Sequence, residues 1–534
     1  MSLTRLYWPV VALFVLSAGW LEVRSARDET QTWDEGIHIS AGYAYLTRGD
    51  YSWNMEHPPL VKIMSAVPLL FLGLEAHPFQ PDGKRKDQVA NGVDFLYRNR
   101  RNADTILIAA RAPTILLTAL FTLAFAWWMR RCFGVAAGLL AAALLAFDPN
   151  LMAHGRYVTT DVPLTAFYFV ACVLWVEYLE RGGLRRLALA AAAIALAMVI
   201  KFSAILLGPP LVLLFAIRWW QRPKEFGVAR AAGALAMVLV MTLAAIAVVY
   251  WPQTAQLLSR KLAVENHTYV TGINDVVLHN EGGHESYLLG VRSNKGWWYY
   301  FPVVFAVKST VTAIAGLFLV LVAGLWAAAR GLWRRVPLMV FGLALPPLVY
   351  FILSMTSGIN LGVRHILPIY PFLYAGIAAA LSQIPMRRAA AVAMVVLGVG
   401  QIAECATITP DYLAFFNAMA GGPGRGPEYL VDSNIDWGQD VKKLVHWLDA
   451  HGTRRARIYY FGNAQMRYYG VDEIGWPDPL DQKGWDEVDD FCVANVTPLY
   501  GVYAPLDALA PLRLREPVAK IGWSMYVYDL RKKK

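Results

Sequence analysis

Apolar stretches of about twenty residues recur along most of this chain, the length that crosses a hydrocarbon core as a helix. No other feature restricts the fold as strongly, because backbone inside lipid must satisfy its own hydrogen bonds. Composition agrees: 57% of the residues are hydrophobic and 16% are charged, against about a quarter charged in ordinary soluble chains. We count about eleven spans, near residues 6–23, 106–128, 134–147, 162–178, 186–200, 202–217, 231–250, 302–325, 337–354, 366–384 and 389–405. The expected class is an α-helical polytopic membrane protein. The first run lacks a convincing small-residue cleavage site and reads as a retained helix.

The loops set the orientation. Arg130-Arg131, Arg181 to Arg186, Arg218 to Arg230, Arg330 to Arg335 and Arg387-Arg388 are short and basic, and all fall on one side. The positive-inside rule makes that side cytoplasmic. The net charge of +10 is therefore no argument for nucleic-acid binding. Four cysteines show neither a CxxC nor metal-ligand spacing and read as isolated thiols. The other connections, 24–105, 148–161, 251–301, 355–365 and everything after about 406, are mixed in charge, rich in aromatics and face outward.

Residues 58–74 (PPLVKIMSAVPLLFLGL) are apolar but proline-broken, and a crossing there would invert every later loop. They are expected to lie in the outer interface. In the tail, "RARIYYFG" and "WSMYVYDL" read as strands and "DVKKLVHWLDAHG" as an amphipathic helix ended by glycine. The expected organisation is a membrane domain over 1–405 and a small extracytoplasmic α/β domain over 406–534.

On this topology ionisable groups gather at the outer face. "TWDEGIHISAGYAYLTRGDYSWNMEHPPLVKIM" carries Asp34, Glu35, Glu56, His57 and Lys62. Asp161 lies in "RYVTTDVPLTAF", His267 in "ENHTY", and Arg364-His365 in "GVRH". Arg111, Lys201 and Lys308 enter spans near their outer ends, where few cations are expected. A phosphate headgroup would account for them. Plainer readings exist: Arg111 and Lys201 can snorkel to lipid, and Asp161 can cap the helix opening at Val162-Pro163. Asp34 and Glu35 can be solvated residues favoured by a helix dipole, and His267 and His365 ordinary loop polar groups.

The combination "WDEGIHISAGYAYL" and "EHPPLVK" after the first span resembles the polyprenol-phosphate-dependent glycosyltransferases of the glycosyltransferase-C superfamily, above all the protein O-mannosyltransferase family. "TTDVPLTAF", "GWWYYFPVVFAVKS", "NLGVRHILPIYPF" and the tail's "DSNIDWGQD" resemble segments of bacterial relatives, the last with no role attached. Glu56 before His57-Pro58-Pro59 is similar, more distantly, to the lipid A aminoarabinose transferases, whose Glu and a later loop His can hold a metal. Glu56 and His267 are the matching positions, but two ligands do not make a zinc site. The resemblance implies a polyprenyl-phosphate-linked sugar donor and an acceptor hydroxyl on protein, lipid or glycan. It requires no cofactor, with a divalent metal ion as the alternative. It also implies a bacterial inner membrane, with the active site facing the periplasm.

A polyprenyl phosphate is already a good leaving group, so the chemistry needs a base for the acceptor proton and cations for the phosphate. Helical neighbours point about 100° apart, so Asp34 and Glu35 do not share a proton as a dyad. Asp34 is assigned as the base, which the resemblance also implies. Glu35 orients the acceptor or pairs with a cation behind the site, and Asp161 is the second acidic group near the reacting centre. His57 and Lys62 are expected on the phosphate, with Arg364, Lys201, Arg111 and Glu56 as further substrate-binding candidates. One base facing a displaced phosphate implies inversion. There is no GxGxxG-like loop or Walker A sequence with the right flanks, and no external DxD, in keeping with a lipid-linked donor. A flippase for lipid-linked sugars is the main competing reading; charge at one face and the lack of an inverted repeat oppose it. A non-catalytic assembly protein would leave Asp34-Glu35 unexplained.

Overall fold

The computed structural model describes residues 3–75, 85–224, 227–330, 337–384, 387–477, 482–505 and 508–532. Part of the basic loop expected at Arg330 to Arg335 lies outside them. Helices occupy all eleven expected segments. Among the described residues seven are long and apolar enough to cross a membrane, and nine if two bent pairs each count as one span. The remaining two, Leu184–Met198 and Leu338–Ser354, are shorter. Residue 58–74 is helical only over Leu60–Phe71, with Val67, Leu70 and Phe71 exposed on its outside.

The helix ends follow local chemistry. Ala103–Phe133 opens at Asn102, whose side chain accepts from Thr105 N at 2.7 Å, and closes at Gly134 with φ +90°. The expected span 302–325 is corrected. It is two helices, Tyr300–Lys308 and Val311–Ala329, meeting at 111°. Breaking a helix exposes carbonyls on one side and N–H groups on the other. Here Asn417 Nδ2 donates to Ala306 O and Ser309 O at 2.7 and 2.8 Å. Glu404 accepts from Val311 N and Thr312 N at 2.7 and 2.8 Å. Partners from Arg387–Thr407 and the tail make the bend affordable, and no sequence window contains both.

In the first long loop, helix Glu35–Arg48 lies close against Leu60–Ala66. A Cβ on Gly42 would stand 2.1 Å from Lys62 O, so only glycine permits this approach. The later loop carries helix Thr268–Gly282 and a hairpin of β1 (Ser286–Leu288) and β2 (Val291–Ser293).

The tail contains a five-stranded sheet in the order β4-β3-β5-β7-β6. Its strands are β3 (Arg455–Tyr459), β4 (Asp472–Ile474), β5 (Phe491–Asn495), β6 (Ala519–Ile521) and β7 (Met525–Asp529). β3 pairs in parallel with β4 and β5, while β7 runs antiparallel to β5 and β6. Helix Val441–Ala450 buries Val441, Leu444 and Leu448 against Ile458, Val493 and Val527, as its amphipathic spacing requires.

Candidate active site

A cavity of about 670 Å³ opens among segments that the loop charges assign to one side of the membrane. Its polar wall includes Asp34, Glu56, His57, Lys201, Arg364 and Asp432. Leu206, Val276, Phe301 and Leu353 form an apolar part of the same wall. The volume and mixed lining are those of a small-molecule site.

Asp34 stands at the N-cap of Glu35–Arg48, yet its side chain makes no capping bond. Instead Oδ2 accepts from Arg364 Nη1 at 3.0 Å, with the two side chains 23% and 12% exposed. Arg364 follows Gly362, which has φ +109° and packs on Asn434 so closely that a Cβ would meet Oδ1 at 2.6 Å. The guanidinium lies 4.5 Å over the Trp437 ring, and its buried Nε has no partner within the described protein. Arg364 as a whole is part-exposed and lines the cavity.

Glu35 has the opposite setting. Its carboxylate accepts from Arg111 Nε and Nη2 at 2.8 and 2.6 Å, from Thr32 N at 2.9 Å and from Val158 N at 3.1 Å. Arg111 also donates from Nη1 to Ala26 O and from Nη2 to Thr30 O. Both side chains are fully buried. Of the two expected roles for Glu35 the geometry has the second, pairing with a cation behind the site. Arg111 is correspondingly withdrawn from phosphate binding, because all its donors point into protein.

Lys62 is corrected in the same way. Its buried ammonium donates to Asn54 O, Asn54 Oδ1 and Tyr45 OH at 2.6, 2.7 and 3.2 Å. Three protons meet three acceptors, so Lys62 ties the loop rather than facing the cavity. Asp161 is the first residue of helix Asp161–Arg181, and its side chain does not cap that helix. It accepts from Lys201 Nζ at 2.6 Å. Asp161 is buried behind the wall while Lys201 lines the cavity, so the carboxylate aims the cation.

His57 lines the cavity and meets His38 edge-on, 5.6 Å between ring centres. Burial, helped by the charge of Lys201, holds its imidazole well below the ordinary histidine range. His57 is thus a neutral hydrogen-bonding group at pH 7. Glu56 shares the wall. His267 does not line the cavity; its Nδ1 accepts from Tyr269 N at 3.3 Å as a helix cap. Among the described residues no group of three or more His, Cys, Asp or Glu side chains could hold a metal. Glu56 lines the cavity and His267 does not, so the pair does not fit a metal centre.

The tail supplies what the sequence reading did not. The segment "DSNIDWGQD" brings Asp432 and Trp437 to the cavity. Trp33 N donates to Trp437 O at 2.9 Å, and Thr30 N to Gln439 O at 2.8 Å. Lys308, expected near an outer helix end, donates to Asn434 O at 2.6 Å. One short loop thereby joins the segment before Asp34, the helix break after Lys308 and the turn before Arg364. His279, His284, His365 and Tyr503 also line the cavity. The available signal was a dense run of Asp, Asn and Gln around one Trp in a tail otherwise read as α/β.

The profile of the dolichyl-phosphate-mannose-protein mannosyltransferase family matches residues 104–251. Over nearly its full length the chain superposes on the crystal structure of ArnT from Cupriavidus metallidurans bound to undecaprenyl phosphate. The TM-score is 0.50, with 15% identity and 97% of each chain covered. The fold is that of ArnT. The apo form of the same ArnT gives 0.49 at 16% identity, again over 97% of each chain. The archaeal oligosaccharyltransferase AglB from Archaeoglobus fulgidus, in complex with an inhibitory peptide and a dolichol-phosphate, gives 0.44 at 12% identity. That alignment covers 97% of this chain and 73% of AglB. No curated protein matches in sequence. The family profile spans Arg111, Asp161 and Lys201, while Asp34, His57 and Arg364 lie outside it.

Proposed function

We propose that the protein moves a sugar from a polyprenyl-phosphate carrier to an acceptor hydroxyl, in the cavity that holds Asp34 and Arg364. The observation that carries this reading is a part-exposed carboxylate, Asp34, held by a single hydrogen bond to Arg364 at a cavity that a second cation, Lys201, also lines. The phosphate of the donor competes with Asp34 for Arg364. As the guanidinium turns to phosphate oxygens, Asp34 is released with its lone pairs open to the acceptor hydroxyl. Asp34 then takes the hydroxyl proton as the acceptor oxygen attacks the anomeric carbon from the face opposite the phosphate. Arg364 and Lys201 offset the charge growing on the leaving oxygen, and neutral His57 adds a hydrogen bond. The sugar is transferred with inversion. The apolar part of the wall suits the first isoprene units of the carrier.

Mannose is the first sugar to test, because the matching family acts from dolichyl-phosphate-mannose. The acceptor is a hydroxyl on protein, lipid or glycan. The one-sided basic loops support an inner-membrane protein whose cavity and 406–534 tail domain face the exterior. The decisive experiment is transfer from labelled polyprenyl-phosphate sugars by purified protein in lipid, comparing wild type with Asp34→Asn. A folded variant that transfers at the wild-type rate removes Asp34 from the mechanism. Flux of the intact lipid-linked sugar without transfer replaces the enzyme with a flippase.

A further inference from the structure

Part of the cavity wall is an unbroken hydrogen-bonded chain that the transfer step above does not use. His279 Nε2 lies 3.1 Å from His284 Nδ1, and His284 Nε2 lies 2.7 Å from the Tyr503 hydroxyl. That hydroxyl donates to Asp432 Oδ2 at 2.9 Å. Imidazole and phenol can each accept a proton on one side while releasing one on the other. Two hydrogen placements fit the same heavy atoms. In one, His279 donates to His284, His284 to Tyr503 and Tyr503 to a charged Asp432. In the other, a protonated Asp432 donates to Tyr503 and the order runs back to His279.

The chain is assembled from distant segments. His279 belongs to helix Thr268–Gly282, His284 follows it, and Tyr503 and Asp432 come from the tail. Tyr503 is fixed from several sides. Its ring stacks on Phe461 at 5.4 Å, and Phe461 stacks on Trp33, the neighbour of Asp34, at 5.1 Å. Its N–H donates to Glu285 Oε2 at 3.1 Å, and its φ is +54°. Asp432 likewise has φ +58°, a conformation that non-glycine residues adopt only when their surroundings enforce it. Both positions are held at a cost in backbone conformation.

The inner end of the chain shares the cavity with Asp34, and Arg364 is electrostatically coupled to both carboxylates. The outer end is His279, which is half-buried on helix Thr268–Gly282 and so is not sealed from solvent. Asp34 must lose its proton after every transfer. A donor lipid and an acceptor displace most of the water in the lumen at that moment, whereas this chain is part of the wall and stays intact.

We propose that Asp432, Tyr503, His284 and His279 form a proton path that restores Asp34 to its basic form after each transfer. The proposal rests on the transferase reading given above. In the balanced step, the acceptor oxygen bonds to the anomeric carbon while the bond from that carbon to the phosphate oxygen breaks. The electron pair leaves with the phosphate. The acceptor proton passes to Asp34, through one cavity water to Asp432, and along Tyr503, His284 and His279 to external water. Burial pushes the Asp432 carboxyl above its ordinary range against the pull of Arg364, so it can hold a proton in transit.

The test measures transfer in lipid by wild type, Tyr503→Phe and His284→Ala, at low buffer and with added imidazole. Wild type is expected to ignore imidazole. Both variants are expected to keep the wild-type KM for donor and lose kcat by about 10-fold or more at low buffer. Imidazole is expected to restore His284→Ala in proportion to its concentration. Variants with wild-type kcat, or a loss that imidazole does not touch, overturn the path while leaving the transferase reading intact. A second measurement does not depend on turnover: spectra of the intact protein with 15N-labelled histidine. Asp432→Asn should shift the His284 nitrogen resonances through Tyr503, and unchanged resonances overturn the chain. A wild-type protein that transfers no sugar from any polyprenyl phosphate removes the transferase reading, and the proton path falls with it.

Discussion

Asp34 and Glu35 are consecutive, both are acidic and both meet an arginine, yet their surroundings differ in every respect that matters for chemistry. Glu35 and Arg111 are sealed and saturated, four donors on the carboxylate and every guanidinium group directed into protein. Asp34 and Arg364 are partly exposed, joined by one hydrogen bond, and both line the cavity. The same division runs through the site. Arg156 donates to Glu29 at 2.6 and 3.0 Å in a fully buried pair, and Lys62 is used up on Asn54 and Tyr45. Lys201 instead reaches the cavity from its anchor on Asp161. The buried pairs set the position of the loops, and the half-open pairs are left to meet a substrate.

The contrast can be broken most severely at Asp34. Asp34→Asn removes the proposed base while keeping shape, and kcat should fall about 1,000-fold with thermal unfolding unchanged. Glu35→Gln should act through stability. Breaking one partner of a buried pair costs about 3 kcal/mol, read as a lower unfolding midpoint in detergent. Wild-type stability in that variant would place Glu35 with the open pairs. Arg364→Gln removes a charge-assisted hydrogen bond of about 1.5–3 kcal/mol, so donor KM should rise roughly 10- to 100-fold. An unaltered KM would take the guanidinium off the phosphate.

The smallest effect concerns pH. His57 has a folded pKa below its unfolded one, so the unfolded chain binds the extra proton first. Its neutral-state contribution is fully present above the ordinary histidine range and is lost as pH falls from there toward the folded value. Unfolding midpoints of wild type should therefore drop over that window more than those of His57→Gln. Equal slopes would mean that His57 is not buried as described.

Much of the architecture was legible because lipid imposes a length and a polarity that a sequence displays openly. The eleven segments are helical, and the tail segments read as strands and helix form β3, β7 and Val441–Ala450. The break after Lys308 was not legible, since its stabilising groups, Glu404 and Asn417, lie about a hundred residues away. The cluster of polar residues was also readable, but its partition was not. Arg111, Lys62 and Arg364 look alike as cations near one face, and only their acceptors distinguish them. Asp432 and Tyr503 escaped notice because nothing local connects a tail loop to the first loop of the membrane domain.

By itself, then, the sequence determined a many-helix membrane protein with its ionisable groups concentrated in one set of loops. Apolar length and loop charge are local properties, and they decide insertion before any tertiary contact forms. Tertiary structure decided which charges are consumed and which stay available. That choice depends on hydrogen-bond partners from the tail, the helix break and the 361–364 turn, each brought to the WDE segment across hundreds of residues. A carboxylate becomes a pin when four donors close on it, and it stays available when a single donor meets it at a cavity. Asp34 and Glu35 differ only in that.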